Sequence, residues 1–296
     1  MQSTIKRPVE ASGILGLGGD LQVYRLGLGA MRITGPGIWG PPADHGEAIA
    51  TLRRAVELGV NFIDTADAYG PRVSEELIAE ALYPYPKGLV IATKGGLERS
   101  GPGAWSPNGR PQHLRSALEG SLKRLRLERV DVYQFHRPDP KVRFEDSVGE
   151  LARFREEGKV HHVGLSNVTA EQLAQAQKIV PIVSVQNRYN LEQRASEEMV
   201  DECARQGLAF LPWNPLSVGN LAGPGGPIGQ IAQRYNAAPR QIALAWLLQR
   251  SGTMLAIPGT GSVPHLEENA MAATIKLARE EYEAIDRASS PHGAVR

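Results

Sequence analysis

The sequence predicts an α/β fold, a single closed (β/α)8 barrel with an N-terminal β-hairpin as its plug, and three observations support this. Short apolar runs alternate eight times with longer amphipathic segments. Several of the runs, such as LVIAT and LAFLPW, are apolar without interruption, as strands covered on both faces are. The 296 residues are an ordinary length for one such barrel, whereas a doubly wound sheet needs only five or six strands.

Ahead of the barrel, ILGLGGDLQVYRL reads as the hairpin, with Gly18, Gly19 and Asp20 as its turn. The eight strands then fall at Arg25–Ala30, Asn61–Ala66, Leu89–Lys94, Val130–His136, Val160–Ser166, Ile182–Asn187, Leu208–Trp213 and Met254–Pro258. Between them, Ile49, Leu52 and Val56 recur at helical spacing, as do Leu114, Leu118, Leu122 and Leu125. Thr169 and Gln172 have the spacing of a capping box. Pro239 suits the first turn of RQIALAWLLQ, a helix apolar nearly all round and therefore expected to be buried. Met199, Val200, Cys203 and Ala204 form a further stripe, which makes the lone cysteine a core residue. One cysteine excludes an intramolecular disulfide and a multi-cysteine metal site. The whole chain, 1–296, is expected to be one barrel domain, with residues 1–10 flexible.

Three connections are longer than a barrel needs: Met31–Ala43, Gly95–Arg110 and Ser217–Gly229. Each follows a strand, which places all three at the C-terminal mouth where barrel sites form. The first holds a literal G-x-G-x-x-G in Gly35, Gly37 and Gly40. It opens five residues past Ala30, whereas a dinucleotide fingerprint opens at the strand end, and Pro36, Pro41 and Pro42 fit a rigid loop better.

Thirty-three basic residues against 32 acidic ones give a net charge of +1, so nothing points to nucleic acid or an anionic membrane as partner. MQSTIKRPVE lacks the apolar region of a secretory signal, and no apolar run reaches the roughly 18 residues of a membrane span. A soluble cytoplasmic protein acting on a small molecule is expected.

The polar residues at successive strand ends form a candidate site. Strand two ends in Asp64, with Tyr69 five residues on; strand three ends in Lys94 and strand four in His136. The barrel would converge all four on one mouth. A free phenol ionises near about 10, too high for efficient acid–base work at neutral pH. The Lys94 ammonium, held by Asp64, is expected to pull Tyr69 down from there. His136 would orient a carbonyl oxygen, and general acid catalysis of this kind is worth roughly 10²–10⁴-fold. Met31, Trp39 and Trp105, on the long loops, are the candidate walls of a pocket for an apolar or aromatic carbonyl compound. His161 and His162 open strand five at the opposite, structural end of the barrel, and with His136 they have no metal-ligand spacing. No metal is expected.

NFIDTADAYG, the ATKGG after it, DVYQFHRPD, VGLSN, VQNRYN and IPGTGSVPHLEEN closely resemble the aldo-keto reductases, in order from about Arg25 to Asn269. The resemblance implies reduction of aldehydes and ketones by hydride transfer from NADPH, without a metal. It makes Tyr69 the acid–base residue, Lys94 and Asp64 its partners, and His136 the carbonyl-orienting residue. Ser166, Asn167 and Gln186 would hold the nicotinamide carboxamide. Trp213 would stack on the nicotinamide, although on its own it fits barrel-top packing equally well. Asn214, Pro215, Leu216, Ser217 and Gly219 would lie along the pyrophosphate. Ile257, Gly259, Ser262, His265, Glu268 and Asn269 would surround the adenosine end, where a glycine-rich turn leads into a helix N-terminus, a ready anion site. Many members place a lysine and an arginine around the 2′-phosphate; here those positions are Gly259 and His265, so NADPH is expected and NADH stays open. A monomer is the default for the family. Its fold also serves as a cofactor-binding regulatory subunit with little turnover, but the complete Tyr, Lys, Asp and His set favours an enzyme.

Overall fold

The computed structural model describes residues 6–218 and 226–289. Gly219, expected along the pyrophosphate, therefore lies outside the described residues.

The N-terminal hairpin pairs β1 (Ile14–Leu17) with β2 (Leu21–Tyr24), Leu17 opposite Leu21. Its turn runs through Gly18 and Gly19 at φ +61° and +90°, a left-handed backbone that side chains disfavour. The barrel strands begin with β3 (Leu28–Gly29), β4 (Phe62–Asp64) and β5 (Val90–Gly95). A second hairpin, β6 (Leu97–Gly101) and β7 (Ala104–Pro107), follows in the connection that the sequence left without structure. The barrel resumes with β8 (Val130–Phe135), β9 (Val160–Ser166), β10 (Ile182–Arg188) and β11 (Ala209–Trp213). These seven pair in parallel, in the order β11-β10-β9-β8-β5-β4-β3.

The eighth segment, expected at Met254–Pro258, closes the ring through isolated bridges. Met254 pairs with Phe210 on one side, and Ala256 and Gly259 pair with Leu26 and Gly29 on the other. Leu255 N donates to Phe210 O (2.9 Å) and Gly27 N to Ala256 O (2.8 Å). The chains approach so closely here that a Cβ on Gly29 would lie 2.7 Å from Ile257 O. Glycine is what lets the first and eighth segments meet.

Helices α1 (His45–Glu57), α2 (Val73–Leu82), α3 (Pro111–Leu125), α4 (Phe144–Glu156), α5 (Ala170–Gln177), α6 (Glu197–Gln206), α7 (Pro227–Arg234), α8 (Pro239–Arg250), α9 (Val263–Met271) and α10 (Arg279–Ser289) accompany the strands. None of the described helices is long and apolar enough to cross a membrane. The capping box of α5 is formed, Thr169 and Gln172 each bonding the other's backbone N–H. In α8 every residue from Gln241 to Leu248 is buried, as its uniform apolarity requires. The stripe on α6 is one residue narrower than expected: Met199, Val200 and Cys203 are buried, and Ala204 is exposed. Burial pushes the Cys203 thiol up to about 12, which leaves it unreactive.

Two cores result. The larger lies between the strands and the helices. The smaller fills the barrel's N-terminal end, where Leu15, Leu17 and Val23 of the hairpin meet Phe62, Val90, Val132, Leu211 and Leu255 from the strands. The hairpin is thus a plug, which among the described residues leaves the C-terminal mouth for chemistry. Leu17 is 1% exposed at the centre of this contact. Leu17→Ala is expected to lower unfolding free energy by about 2–5 kcal/mol in urea titrations. A loss near zero would mean that the hairpin does not belong to the cooperative core.

Candidate active site

Alternation along the strands aims three polar side chains at the C-terminal mouth. Asp64 ends β4, Lys94 lies near the end of β5, and His136 follows β8 directly. The chain after β4 keeps pairing with β5, Thr65 N donating to Ala92 O (2.8 Å) and Asp67 N to Lys94 O (3.2 Å). That tether carries Tyr69 back over the barrel axis.

Lys94 is fully buried, and its ammonium spends all three protons. It donates to Asp64 Oδ2 at 2.6 Å, to Thr65 O at 3.0 Å and to the Tyr69 hydroxyl at 3.1 Å. Asp64 Oδ1 in turn accepts from Gln134 Nε2 (2.9 Å) and Gln186 Nε2 (2.8 Å). Gln134 escaped the sequence reading, although its place on the inward face of β8, two residues before His136, was a usable signal.

The charges follow from these contacts. Burial works against the Lys94 ammonium, but Asp64 and Tyr69 together outweigh it and hold Lys94 above the usual lysine range. For Tyr69 burial is the largest influence and pushes the phenol up; Lys94 pulls it down and Asp64 pushes it up again. The sequence expectation of a net downward shift is therefore corrected. Lys94 acts in the expected direction, but desolvation of a phenolate in this enclosed site is stronger. His136 is driven well below the usual imidazole range by burial first, then by Lys94, Arg137 and Arg99. It stands as a neutral ring.

Two rings pack against the Tyr69 ring. His136 meets the Tyr69 ring edge-on at 5.8 Å, and Trp105 lies edge-on to both, at 6.4 Å from Tyr69 and 6.5 Å from His136. Trp105 is fixed by Arg99, whose guanidinium sits 3.5 Å from its ring centre. The same guanidinium donates to the carbonyls of Ala104, Ile38 and Ala68 at 2.9 Å and of Gly37 at 3.0 Å. Arg99 thus ties together the β6–β7 hairpin, the first long loop and the turn that carries Tyr69. No feature of ERSGPGAWS announced this role. Trp39 lies 5.7 Å from the Arg99 guanidinium and lines a cavity of about 700 Å³ behind that wall, with Asp67, Arg72 and His113. Met31 lines a separate cavity of about 360 Å³ beside Thr34 and Gly261. Of the three candidate wall residues, Trp105 is the one in ring contact with Tyr69.

The next strand ends carry the remaining candidates. Ser166 Oγ donates to Gln186 O at 2.9 Å. Asn167, at φ +59°, donates from Nδ2 to His136 O and to Ser166 Oγ, both at 3.0 Å, and accepts from Trp213 Nε1 at 3.1 Å. It stitches the ends of β8, β9 and β11 together. Asn214 is also left-handed, at φ +57°, and its carbonyl accepts from Asn190 Nδ2 at 2.9 Å. Asparagine tolerates that backbone better than most residues. Pro215 and Leu216 follow, Leu216 packing on the outer core, and the Ser217 hydroxyl pairs with Glu192.

In the closing segment Ile257 is buried, and a Cβ on Gly259 would lie 3.0 Å from Gly29 O. The closing bridge of the barrel therefore crowds any side chain at position 259. Ser262 precedes α9, whose first N–H, on Val263, donates to Glu47 Oε1 at 2.8 Å. A carboxylate from α1 already uses that donor, so the helix N-terminus offers an anion less than the sequence suggested. His265 is exposed, Glu268 pairs with Arg240 at 3.5 Å, and Asn269 is 2% exposed with its Oδ1 unpartnered. His136 Nδ1 is likewise buried without a partner.

Beside Tyr69, Asp67 Oδ1 is shut away without a hydrogen-bond partner, and burial, aided by Glu75, pushes Asp67 up to about 8. The unfolded carboxyl ionises near about 4, so the native state binds the extra proton between about pH 4 and pH 8 and this group costs stability as pH rises through that window. Asp67→Asn, neutral throughout, is expected to gain stability relative to wild type between pH 5 and about pH 8 in parallel urea titrations. An unchanged difference would place Asp67 in solvent.

Comparison with known proteins agrees with this fold. The sequence model described as the Aldo/keto reductase family matches residues 25–290. An uncharacterised oxidoreductase of Schizosaccharomyces pombe is 50% identical over 278 residues, spanning 94% of this chain and 90% of that protein. Pyridoxine 4-dehydrogenase of Escherichia coli is 44% identical over 275 residues, 90% of this chain and 96% of the relative. Among solved structures, an aldo/keto reductase from Klebsiella pneumoniae in complex with NADP and acetate superposes with a TM-score of 0.78 over 94% of this chain and 95% of its own, at 24% identity, a likeness of fold.

Proposed function

The chain belongs to the aldo/keto reductase family of oxidoreductases, and from that premise we propose that it reduces aldehydes or ketones to alcohols with NADPH, Tyr69 giving the proton. The observation that carries this reading is the buried chain Asp64–Lys94–Tyr69, with contacts of 2.6 and 3.1 Å. When bound, the reduced nicotinamide supplies the hydride. Tyr69, kept protonated by burial, holds the proton at its hydroxyl oxygen. As that proton leaves, the Lys94 ammonium stabilises the phenolate left behind, and Asp64 keeps Lys94 charged and in place. His136, neutral, can donate to the carbonyl oxygen without competing for the proton. Trp105, braced by Arg99, shields the site from water.

Ser166, Asn167 and Gln186 would hold the carboxamide and Trp213 the ring face. Gln186 Nε2 is committed to Asp64, which leaves its Oε1 as the acceptor for a carboxamide N–H. Asn214 to Ser217 would follow the pyrophosphate, and Asn269, with its unpartnered Oδ1, the adenine. The Klebsiella relative holds NADP, which supports the phosphorylated cofactor here. With Gly259 in place of a lysine, His265 is the residue left to meet the 2′-phosphate, and NADH is the competing cofactor. The aromatic enclosure suits an aromatic aldehyde, and the E. coli relative is named for pyridoxine, an aromatic alcohol.

NADPH absorbance is followed with 4-nitrobenzaldehyde or pyridoxal for wild type and Tyr69→Phe. The variant is expected to bind NADPH as wild type does and to lose at least about 10²-fold in kcat. Full turnover by the variant would remove Tyr69 from this role, and a wild type that binds cofactor without turnover would favour a sensor subunit. His265→Ala is also expected to weaken NADPH binding by about tenfold, with NADH binding unchanged. Equal NADPH affinity in the two proteins would take His265 out of the phosphate site.

A further inference from the structure

At the closed end of the barrel, far in sequence from one another, Asp20 and the adjacent pair His161 and His162 bring their ligand atoms together. His162 Nε2 lies 2.6 Å from Asp20 Oδ1, and His161 Nε2 lies 2.6 Å from Asp20 Oδ2. The two imidazoles are 4.2 Å apart between ring centres. Neighbouring side chains on a strand ordinarily point to opposite faces. These two open β9, at its N-terminal edge, where both rings turn toward the β1–β2 turn beneath. That turn is fitted to them: a Cβ on Gly18 would lie 2.1 Å from the His162 Cε1 atom. One ligand atom from each of the three residues lies within 4.8 Å of the other two.

We propose that Asp20, His161 and His162 form a binding site for a divalent transition-metal ion of the zinc class, which staples the hairpin plug to the start of β9. Two imidazole nitrogens and a carboxylate are a donor set suited to zinc, copper or nickel rather than to calcium or magnesium. Coordination through Nε2 leaves each ring's proton on Nδ1, and the ion takes the place of the hydrogens now lying between the rings and the carboxylate. Metal–ligand bonds of about 2.0–2.2 Å in a tetrahedron set nitrogen–oxygen separations near roughly 3.3 Å. Asp20 must therefore draw back by under about 1 Å, and it sits on an exposed glycine turn free to do so, its side chain 54% accessible. His162 is 10% and His161 26% accessible, so the pair is a firm base with its outer side open for a water as fourth ligand.

The proposal revises the expectation of no metal, which had weighed His161 and His162 against His136 and not against a residue 141 positions away. It stands independently of the redox reading, because this end of the barrel is sealed from the mouth by the plug core. The test uses untagged, chelator-treated protein titrated with ZnCl₂ by calorimetry, as wild type, Asp20→Asn and His161→Gln, with circular dichroism confirming that each is folded. Saturable binding in wild type, weakened at least about tenfold in either variant, is the expected result. No saturable binding by wild type below about 1 mM Zn²⁺, or equal affinity in all three proteins, would overturn it.

Discussion

The mouth of this barrel depends on one buried charge. An ammonium with no exposure to water is costly to hold, and Lys94 is tolerated only because every proton it carries has an acceptor. Asp64 is the indispensable one, and it is itself over-determined, with donors arriving from β5, β8 and β10. A single ion pair thus couples four strands at the level where the chemistry sits. Losing one member of such a pair strands the other, which typically costs about 3–5 kcal/mol. Fold and site are therefore not separable here.

The strand period explains how an apolar barrel end and a polar mouth come from the same strands. On β5, inward positions two residues apart run Val90, Ala92, Lys94; on β8 they run Val132, Gln134, then His136. Register aligns Ala92 with Val132 and Lys94 with Gln134, so layers form across strands. The lower layer meets the hairpin's leucines, the middle layer is the Asp64 network, and the upper one is the ring enclosure around Tyr69. Gly164 takes an inward place beside Gln134, where a Cβ would lie 2.9 Å from the Gln134 Cγ and 2.4 Å from the Ser184 hydroxyl. The polar layer needs that missing side chain as much as it needs its hydrogen bonds.

What was legible in the sequence and what was not divides along physical lines. Periodicity is local, so the strands, the capped helix at Thr169, the hairpin and the strand-end residues Asp64, Lys94 and His136 could be read directly. Contacts between distant loops leave no periodic trace. Arg99 reaching the carbonyls of Gly37, Ile38 and Ala68, Glu47 reaching Val263 N and Asp20 reaching two histidines are of that kind. The β6–β7 hairpin was missed because its residues are half-exposed and lack an apolar alternation. The phenol was misjudged for another reason: a sequence names the neighbouring charge but not the depth of burial, and depth decides which influence prevails.

That last point governs the proton inventory of the site. Lys94 and His136 share one enclosed space, and two cations cannot both be sustained there. The one with a carboxylate at 2.6 Å keeps its charge, and the one whose Nδ1 has no partner loses it. Tyr69 is kept neutral by the same burial that Lys94 survives. At neutral pH the site then holds a charged lysine, a protonated phenol and a neutral imidazole, each fixed by its own partners. Titratable groups whose surroundings push them apart in this way mark the acid and its supports. In the proposed reduction the phenol is the acid, beside an ammonium that would stabilise the loss of its proton. Burial that opposes the chemistry, by raising the phenol, would then be what keeps that proton available until a carbonyl oxygen arrives to take it.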